Sequence, residues 1–436
     1  MSDTVKFIHT ADLHLDSPLA SLAARNEALA ELLQGASRQM LQTLVDTALE
    51  ESVDALLIAG DLFDGDQRDV HTAMVLQREL RRLDAAGIPV FIIWGNHDAE
   101  AKLYKVLDFP DNVHAFDGRG GKRYFADERA VVHGVSYIQR QTPDSLLGKF
   151  GKPDAHCFNI CMLHTSLTGA DGHNDYAPCT VNELVDKGYD YWALGHIHKR
   201  MVHSESPAIV MPGNPLGRHI NEAGERTISL VTLTTGAPAR IEPVNIAPIR
   251  FDRLHIDMDG VEDKRDGYAK ITEAIQTHSD ALDIDHLILR LELAGTSLLA
   301  SSYQRDQHML FVQLQTEYEH RDELWIDSID TRQLHLPDAH QPTDVAENTI
   351  VAELGSLVDE QLLSSISLQD TVAADLELMI KALPSDLGDL FGKTPQEEKA
   401  FVRETLMSSG AHWMLRQLEA RDADHDAGDE DQDALS

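Results

Sequence analysis

The sequence predicts an α/β protein. Its first half is a sheet region covered on both faces, followed by a small α/β domain and a helical C-terminal region. Continuous apolar runs (VKFIH at 5–9, ALLIAG at 55–60, IPVFIIWG at 88–95, FNICMLH at 158–164, YDYWALGH at 189–196) alternate with stretches of helical periodicity. Runs of that kind belong to strands buried on both faces. Hydrophobic residues make up 42% and charged residues 25% of the 436 residues, which fits ordinary globular domains and excludes a disordered, collagen-like or coiled-coil chain. The length corresponds to about two to three domains.

VKFIH is the first strand, and helical spacing fills 18–51. ALLIAG is the second strand, a helix covers about 70–86, and IPVFIIWG is the third strand. RAVVHGVSYI, AIVMP and TISLVTL have few helices between them and read as strands of a mixed sheet. The first domain is placed at 1–248. In 249–335 the order is strand (FDRLHIDM), helix (261–279), strand (HLILRLELA), helix (302–319), strand (ELWIDSID), a small α/β domain. Residues 336–420 contain no convincing strand; IVAELGSLVDEQLL and FVRETLMSSGAHWMLRQLEA place apolar residues at helical intervals. RDADHDAGDEDQDALS at 421–436 is an acidic, disordered tail.

The net charge of −36 is uneven: residues 1–250 carry −10 and residues 251–436 carry −26. Such a chain repels polyanions unless divalent cations invert the sign of the field at the site. No apolar run approaches the about 18 residues that span a bilayer, and no secretory signal is seen. Three cysteines are too few for a disulfide framework and fit a reducing cytoplasm.

The chemistry lies where the strands end. Asp12-Leu13-His14 follows the first strand, Gly60-Asp61-Leu62-Phe63-Asp64 the second and Gly95-Asn96-His97-Asp98 the third; His164 ends FNICMLH, and Gly195-His196-Ile197-His198 follows YDYWAL. Ligands of open α/β sheets gather at the carboxyl ends of strands. Asp, Asn and His without thiolate suit Mn²⁺, Fe²⁺ or Zn²⁺. They are too many for one tetrahedral ion, whereas two ions sharing a carboxylate would use them all, the arrangement that clamps both oxygens of a phosphoryl displacement. Glycines before Asp61, Asn96 and His196 allow sharp turns. Each motif alone is weak; their order, each after an apolar strand, carries the signal.

With these blocks in hand, the sequence resembles the calcineurin-like metallophosphoesterase superfamily, and within it the SbcD-like DNA repair exonucleases of the YhaO-like branch, through HTADLHLDSPL, AGDLFD, GNHD, LGHIHK and PGNPLGRHINE. The resemblance implies a four-layer α-β-β-α metallophosphoesterase sandwich with a small α/β capping domain and the helical C-terminal region. It implies that Asp12, His14, Asp61 and His198 hold one metal and that Asp61, Asn96, His164 and His196 hold the second, with Asp61 bridging. His97 would face the scissile phosphate and protonate the leaving oxygen, and Asp64 would orient it. Mn²⁺ is the expected metal, with Fe²⁺, Zn²⁺ or Mg²⁺ as the others. The implied substrate is DNA, and the implied partners are an SMC-type coiled-coil ATPase, gripped by the helical region, and a second copy of the chain. A small-molecule nucleotide phosphodiesterase and a non-catalytic scaffold subunit stand as the alternatives.

Other features have milder readings. Thr165 and Ser166 read as turn residues, and Arg218 and His219 as a structural loop or a phosphate or partner site. Residues 117–129, with Arg119, Lys122, Arg123, Tyr124 and Phe125, read as a solvated hairpin or a single-strand contact. Trp94 and Trp192 are expected in strands of the core. Cys157, Cys161 and Cys179 read as small apolar residues, and His9 and His133 as structural.

Overall fold

A computed structural model describes residues 4–15, 17, 27–64, 70–99, 108–167, 176–321 and 323–336. The expected helical segment 337–420 and the tail 421–436 lie outside these residues. The elements of the first part are β1 (Thr4–Thr10), α1 (Glu27–Glu50), β2 (Ala55–Ala59), α2 (Val70–Ala85), β3 (Val90–Ile93), β4 (Val113–Ala115), β5 (Gly121–Phe125), β6 (Ala130–Val135), β7 (Phe158–His164), α3 (Val181–Asp186), β8 (Tyr191–Gly195), β9 (Met201–Glu205), β10 (Ala208–Met211), β11 (Thr227–Thr234) and β12 (Arg240–Asn245). They build two six-stranded sheets, ordered β12-β11-β1-β2-β3-β4 and β5-β6-β7-β8-β10-β9. β1 to β4 run parallel, as do β6, β7, β8 and β10, while hairpin partners β11, β12, β5 and β9 close the edges antiparallel.

The alternation of side chains across each strand explains the layering. Val5 and Phe7 of β1, with Leu57, Phe91 and Ile93, pack against Ile160, Met162, Tyr191 and Ala193 of the other sheet. Ile8, Leu56, Ile58, Val90 and Ile92 point the other way and meet Met40, Leu44, Leu76, Leu80 and Leu83 of α1 and α2. On the far side, Cys161, Leu163, Trp192 and Leu194 meet Leu147, Phe150, Leu184 and Tyr189. Both sheets are therefore buried on both faces, the four-layer α-β-β-α sandwich.

Beyond it come β13 (Ile249–Asp257), α4 (Lys264–Asp280), β14 (His286–Thr296), α5 (Ala300–Arg305), α6 (Gln307–Tyr318) and β15 (Leu324–His335), whose strands form a three-stranded sheet in the order β13-β14-β15. Two compact units divide the chain. One contains Met1–Leu254, Ala274–Leu291 and Leu314–Ser328; the other contains His255–Glu273, Glu292–Gln313 and the chain from Ile329. The helix expected at 302–319 is broken at Asp306, which leaves helical dihedrals (φ −98°, ψ 15°) and whose carboxylate accepts from the Ser302 hydroxyl at 3.4 Å. Trp192 is a core strand residue as expected, whereas Trp94 lies one residue past the end of β3, and Cys157 one residue before β7.

His9, in β1, is fully buried. Its Nε2 donates to the Leu194 carbonyl at 3.0 Å, so Nδ1 is the bare nitrogen and accepts from the Tyr191 hydroxyl at 2.9 Å. Burial pushes its pKa down to about 3. The unfolded chain binds a proton at this histidine below about pH 6.5 and the folded chain does not, so stability decreases as the pH is lowered from about 6.5 to about 3, by about 1.4 kcal/mol per pH unit. In His9→Gln, which can keep both hydrogen bonds without titrating, the slope of urea-unfolding stability against pH is expected to lose one proton's share. An unchanged slope would place the acid sensitivity elsewhere.

Candidate metal centre

The carboxyl ends of β1, β2, β3, β7 and β8 bring the five sequence blocks to one edge of the sandwich. Backbone bonds fasten the first two loops together: Asp12 N to Gly60 O at 2.9 Å, His14 N to Asp61 O at 3.0 Å and Leu15 N to Leu62 O at 3.0 Å. Asp12, His14, Asp61 and His196 all have positive φ (53°, 41°, 51° and 103°). Non-glycine residues pay strain for that conformation, and such strain clusters at functional sites. Of the three glycines expected to supply unusual dihedrals, Gly60 does so (φ +96°). Gly95 and Gly195 are needed for room instead: a Cβ on Gly95 would collide with Asp61 Oδ1 and His164 Nε2, and one on Gly195 with the Ala59 carbonyl.

The side chains form two groups. In one, Asp12, His14 and His198 each offer an atom within 4.8 Å of the others, and His14 Nε2 faces His198 Nε2 at 3.1 Å. In the other, Asp61, His164 and His196 do the same, with Asn96 Oδ1 at 3.0 Å from His164 Nε2 and 3.1 Å from His196 Nδ1. Asp61 stands against both groups, its Oδ2 at 3.3 Å from His164 Nε2 and 4.0 Å from His14 Nε2. All seven residues named as metal ligands from the sequence are thus brought together.

The electrostatics describe a site built around positive charge. Burial works against ionisation of Asp61, yet the charge and hydrogen bond of His164 outweigh it and hold its carboxyl well below the usual range. Burial raises Asp12 and lowers His14 to about 3, so His14 is neutral and available as a ligand. His164 Nδ1 donates to the Ala59 carbonyl at 3.0 Å, which turns Nε2 toward the cluster, where the charge and hydrogen bond of Asp61 prevail over burial and push the ring's pKa up to about 9, a proton that a cation would displace. Buried His14 Nδ1 has no hydrogen-bond partner among the described residues. Imidazole nitrogens, an amide oxygen and a carboxylate standing against both groups, with no thiolate, fit divalent cations.

His97 and Asp64 form a dyad at the rim. His97 Nδ1 donates to Asp64 Oδ1 at 2.8 Å, and the His97 side chain is 31% exposed. The hydrogen bond to Asp64 raises the His97 pKa, and the same bond holds Asp64 well below the ordinary carboxylate range, with Ser17 Oγ donating at 2.7 Å. The backbone N–H of His97 donates to Asp61 Oδ1 at 2.9 Å, so one residue places the bridge and presents the imidazole.

Residues 5–200 match the calcineurin-like phosphoesterase family. The chain carries a calcineurin-like phosphoesterase domain. Residues 251–333 match the middle domain of the metallophosphoesterase YhaO. The chain is 38% identical over 241 residues to the uncharacterized metallophosphoesterase YhaO of Bacillus subtilis, covering 54% of this chain and 59% of that relative. It is 27% identical over 318 residues to the DNA double-strand break repair protein Mre11 of Sulfurisphaera tokodaii (70% of this chain, 78% of the relative), and 24% identical over 292 residues to that of Saccharolobus solfataricus (59% and 71%).

Two carboxylates of the phosphoesterase domain had no role in the sequence reading. Buried Asp98 accepts backbone N–H groups from Gly95 (3.0 Å), Leu62 (3.2 Å) and Phe63 (2.9 Å), lashing the β2 and β3 loops together. Burial, and then the charge of Asp61, push its pKa up to about 7. Glu222 Oε1 accepts from His198 Nδ1 at 2.7 Å, which fixes the ring so that Nε2 faces His14, while Asn214 donates to Oε2 at 2.9 Å. A carboxylate behind a ligating imidazole orients it and raises its basicity. Glu222→Gln is therefore expected to weaken Mn²⁺ binding by about 10–100-fold with little change in melting temperature. Calorimetric titration checks this, and unchanged affinity would refute the orienting role.

The milder features behave structurally. Thr165 and Ser166 bond to the Ala177 and Tyr176 backbone. In the 117–129 hairpin, Arg119 pairs with Asp117, and Lys122 and Asp154 share the Tyr124 hydroxyl, so part of that basic cluster is neutralised. Among the described residues, no helix is long and apolar enough to cross a membrane.

Proposed function

We propose that this chain hydrolyses phosphodiester bonds of DNA at a centre of two divalent cations, Mn²⁺ foremost. The observation that carries the reading is the convergence of two nitrogen- and oxygen-donor groups on Asp61 with the His97–Asp64 dyad at their rim. In this reading Asp12, His14, Asp61 and His198 hold one cation, and Asp61, Asn96, His164 and His196 the other. Such a pair supplies Lewis-acid activation of water and of the phosphate oxygens.

The remaining steps belong to the chain. Glu222 and the Ala59 carbonyl set the rings of His198 and His164, and Asp98 keeps the loops from opening. His97, whose pKa is raised by its hydrogen bond to Asp64, donates a proton to the leaving oxygen from Nε2. DNA as substrate is supported by the two Mre11 relatives, whose likeness extends over 59–70% of this chain. Partnership with an SMC-type coiled-coil ATPase and with a second copy of the chain belongs to the same proposal. A net charge of −36 favours a smaller substrate, such as a nucleotide phosphodiester, as the second reading.

The deciding experiment is Mn²⁺-dependent cleavage of linear duplex and single-stranded DNA beside a bis-aryl phosphodiester, with and without the ATPase. DNA degradation is expected. Hydrolysis of the small diester with DNA left intact would give the second reading, and inertness on both would make the chain a scaffold.

A further inference from the structure

We propose that Arg218 binds an unesterified oxygen of the substrate's phosphodiester backbone beside the metal centre. The inference rests on the phosphodiesterase reading and adds to it the group that recognises the anion. Arg218 lies in the loop after β10. Its backbone N–H donates to Glu222 Oε2 at 2.8 Å, and its Nη2 donates to Glu222 Oε1 at 3.1 Å while lying 3.1 Å from His198 Nδ1. Nη1 is 3.9 Å from Asp64 Oδ2, an ion pair too long for a hydrogen bond.

The guanidinium therefore spans the two carboxylates that set the rim imidazoles, Asp64 for His97 and Glu222 for His198. Held from both sides, it loses little further freedom when an anion arrives. It also retains a donor: Nη1 makes no hydrogen bond among the described residues. The side chain is 22% exposed, open enough to be reached and enclosed enough to keep its charge from being fully screened. The N–H groups of Nη1 can donate to a phosphate oxygen in a charge-assisted bond. In a chain of net charge −36, a fixed cation at this place offsets the repulsion an incoming phosphate would meet.

The test uses the full chain with Mn²⁺ and two variants, Arg218→Ala and Arg218→Lys, on a single-stranded oligonucleotide and a bis-aryl phosphodiester. For Arg218→Ala, KM on the oligonucleotide is expected to rise about tenfold or more, with most of the loss in kcat/KM falling on KM. The slope of log KM against log salt is expected to flatten by about one. Arg218→Lys is expected to recover part of the loss. A matching rise in KM on the small diester puts the contact on the scissile phosphate; a rise confined to the oligonucleotide puts it on a neighbouring one.

Mn²⁺ titration by calorimetry supplies a readout independent of turnover. Removing a cation from beside the centre leaves Mn²⁺ binding equal or tighter, whereas removing a brace weakens it. Loss confined to kcat together with weaker Mn²⁺ binding would overturn the proposal, and so would unchanged KM on both substrates. If wild-type chain that binds Mn²⁺ cleaves neither substrate, the phosphodiesterase reading fails and takes this inference with it.

Discussion

Asp61→Asn is expected to abolish Mn²⁺-dependent hydrolysis, with a loss on the order of 10³-fold or more, and to reduce the bound Mn²⁺ below two ions per chain. The substitution keeps the shape of the side chain and an oxygen for the His97 backbone N–H, which donates to Oδ1 at 2.9 Å. What disappears is the negative charge on Oδ2, the atom at 3.3 Å from His164 Nε2 and 4.0 Å from His14 Nε2. In the proposed ligand set the one other carboxylate, Asp12, serves a single group, so this change is expected to weaken both at once. Several kcal/mol of charge stabilisation are involved, and each 1.36 kcal/mol or so is a factor of ten in rate. Metal content measured after dialysis, beside melting curves in EDTA, separates loss of cations from loss of fold. Two ions retained with activity within tenfold of wild type would dismantle the shared-carboxylate reading.

The site was legible in the sequence because its residues sit where buried strands stop. ALLIA and VFII are so apolar that the polar residues following them, Asp61 and Asn96, mark the sheet edge without ambiguity. Parallel strands then deliver those edges to the same side. Less was legible behind the ligands. Asp98 and Glu222 act by accepting hydrogen bonds from groups distant along the chain, Phe63 N–H and His198 Nδ1 among them. In a sequence such a carboxylate looks like any solvated turn acid; only the folded loops reveal that it is buried with a partner. The glycines teach the same lesson. A Gly before a ligand reads as a turn residue, but at Gly95 and Gly195 the requirement is space against Asp61, His164 and Ala59, which belong to other strands. The break at Asp306 escaped because helical spacing of apolar residues continues through it.

His97→Ala is expected to lower kcat on DNA by about 10²–10⁴-fold while two Mn²⁺ ions remain bound, because what it removes is a proton donor and not a ligand. The alanine retains the backbone N–H that places Asp61, so the cluster keeps its geometry. With Nδ1 engaged by Asp64 at 2.8 Å, Nε2 is the nitrogen left for the substrate, and the side chain is 31% exposed. The leaving group decides how much that proton matters. A deoxyribose alkoxide is strongly basic and departs poorly without protonation, whereas a nitrophenolate departs unaided. The same variant should therefore lose less than about tenfold on a bis(nitrophenyl) phosphodiester. Asp64→Asn should fall between wild type and His97→Ala on DNA, since it lowers the basicity and orientation of the imidazole without deleting it. Equal losses on both substrates would mean that His97 stabilises charge on the phosphate itself, which is present whatever group departs, and the acid role would pass to another donor.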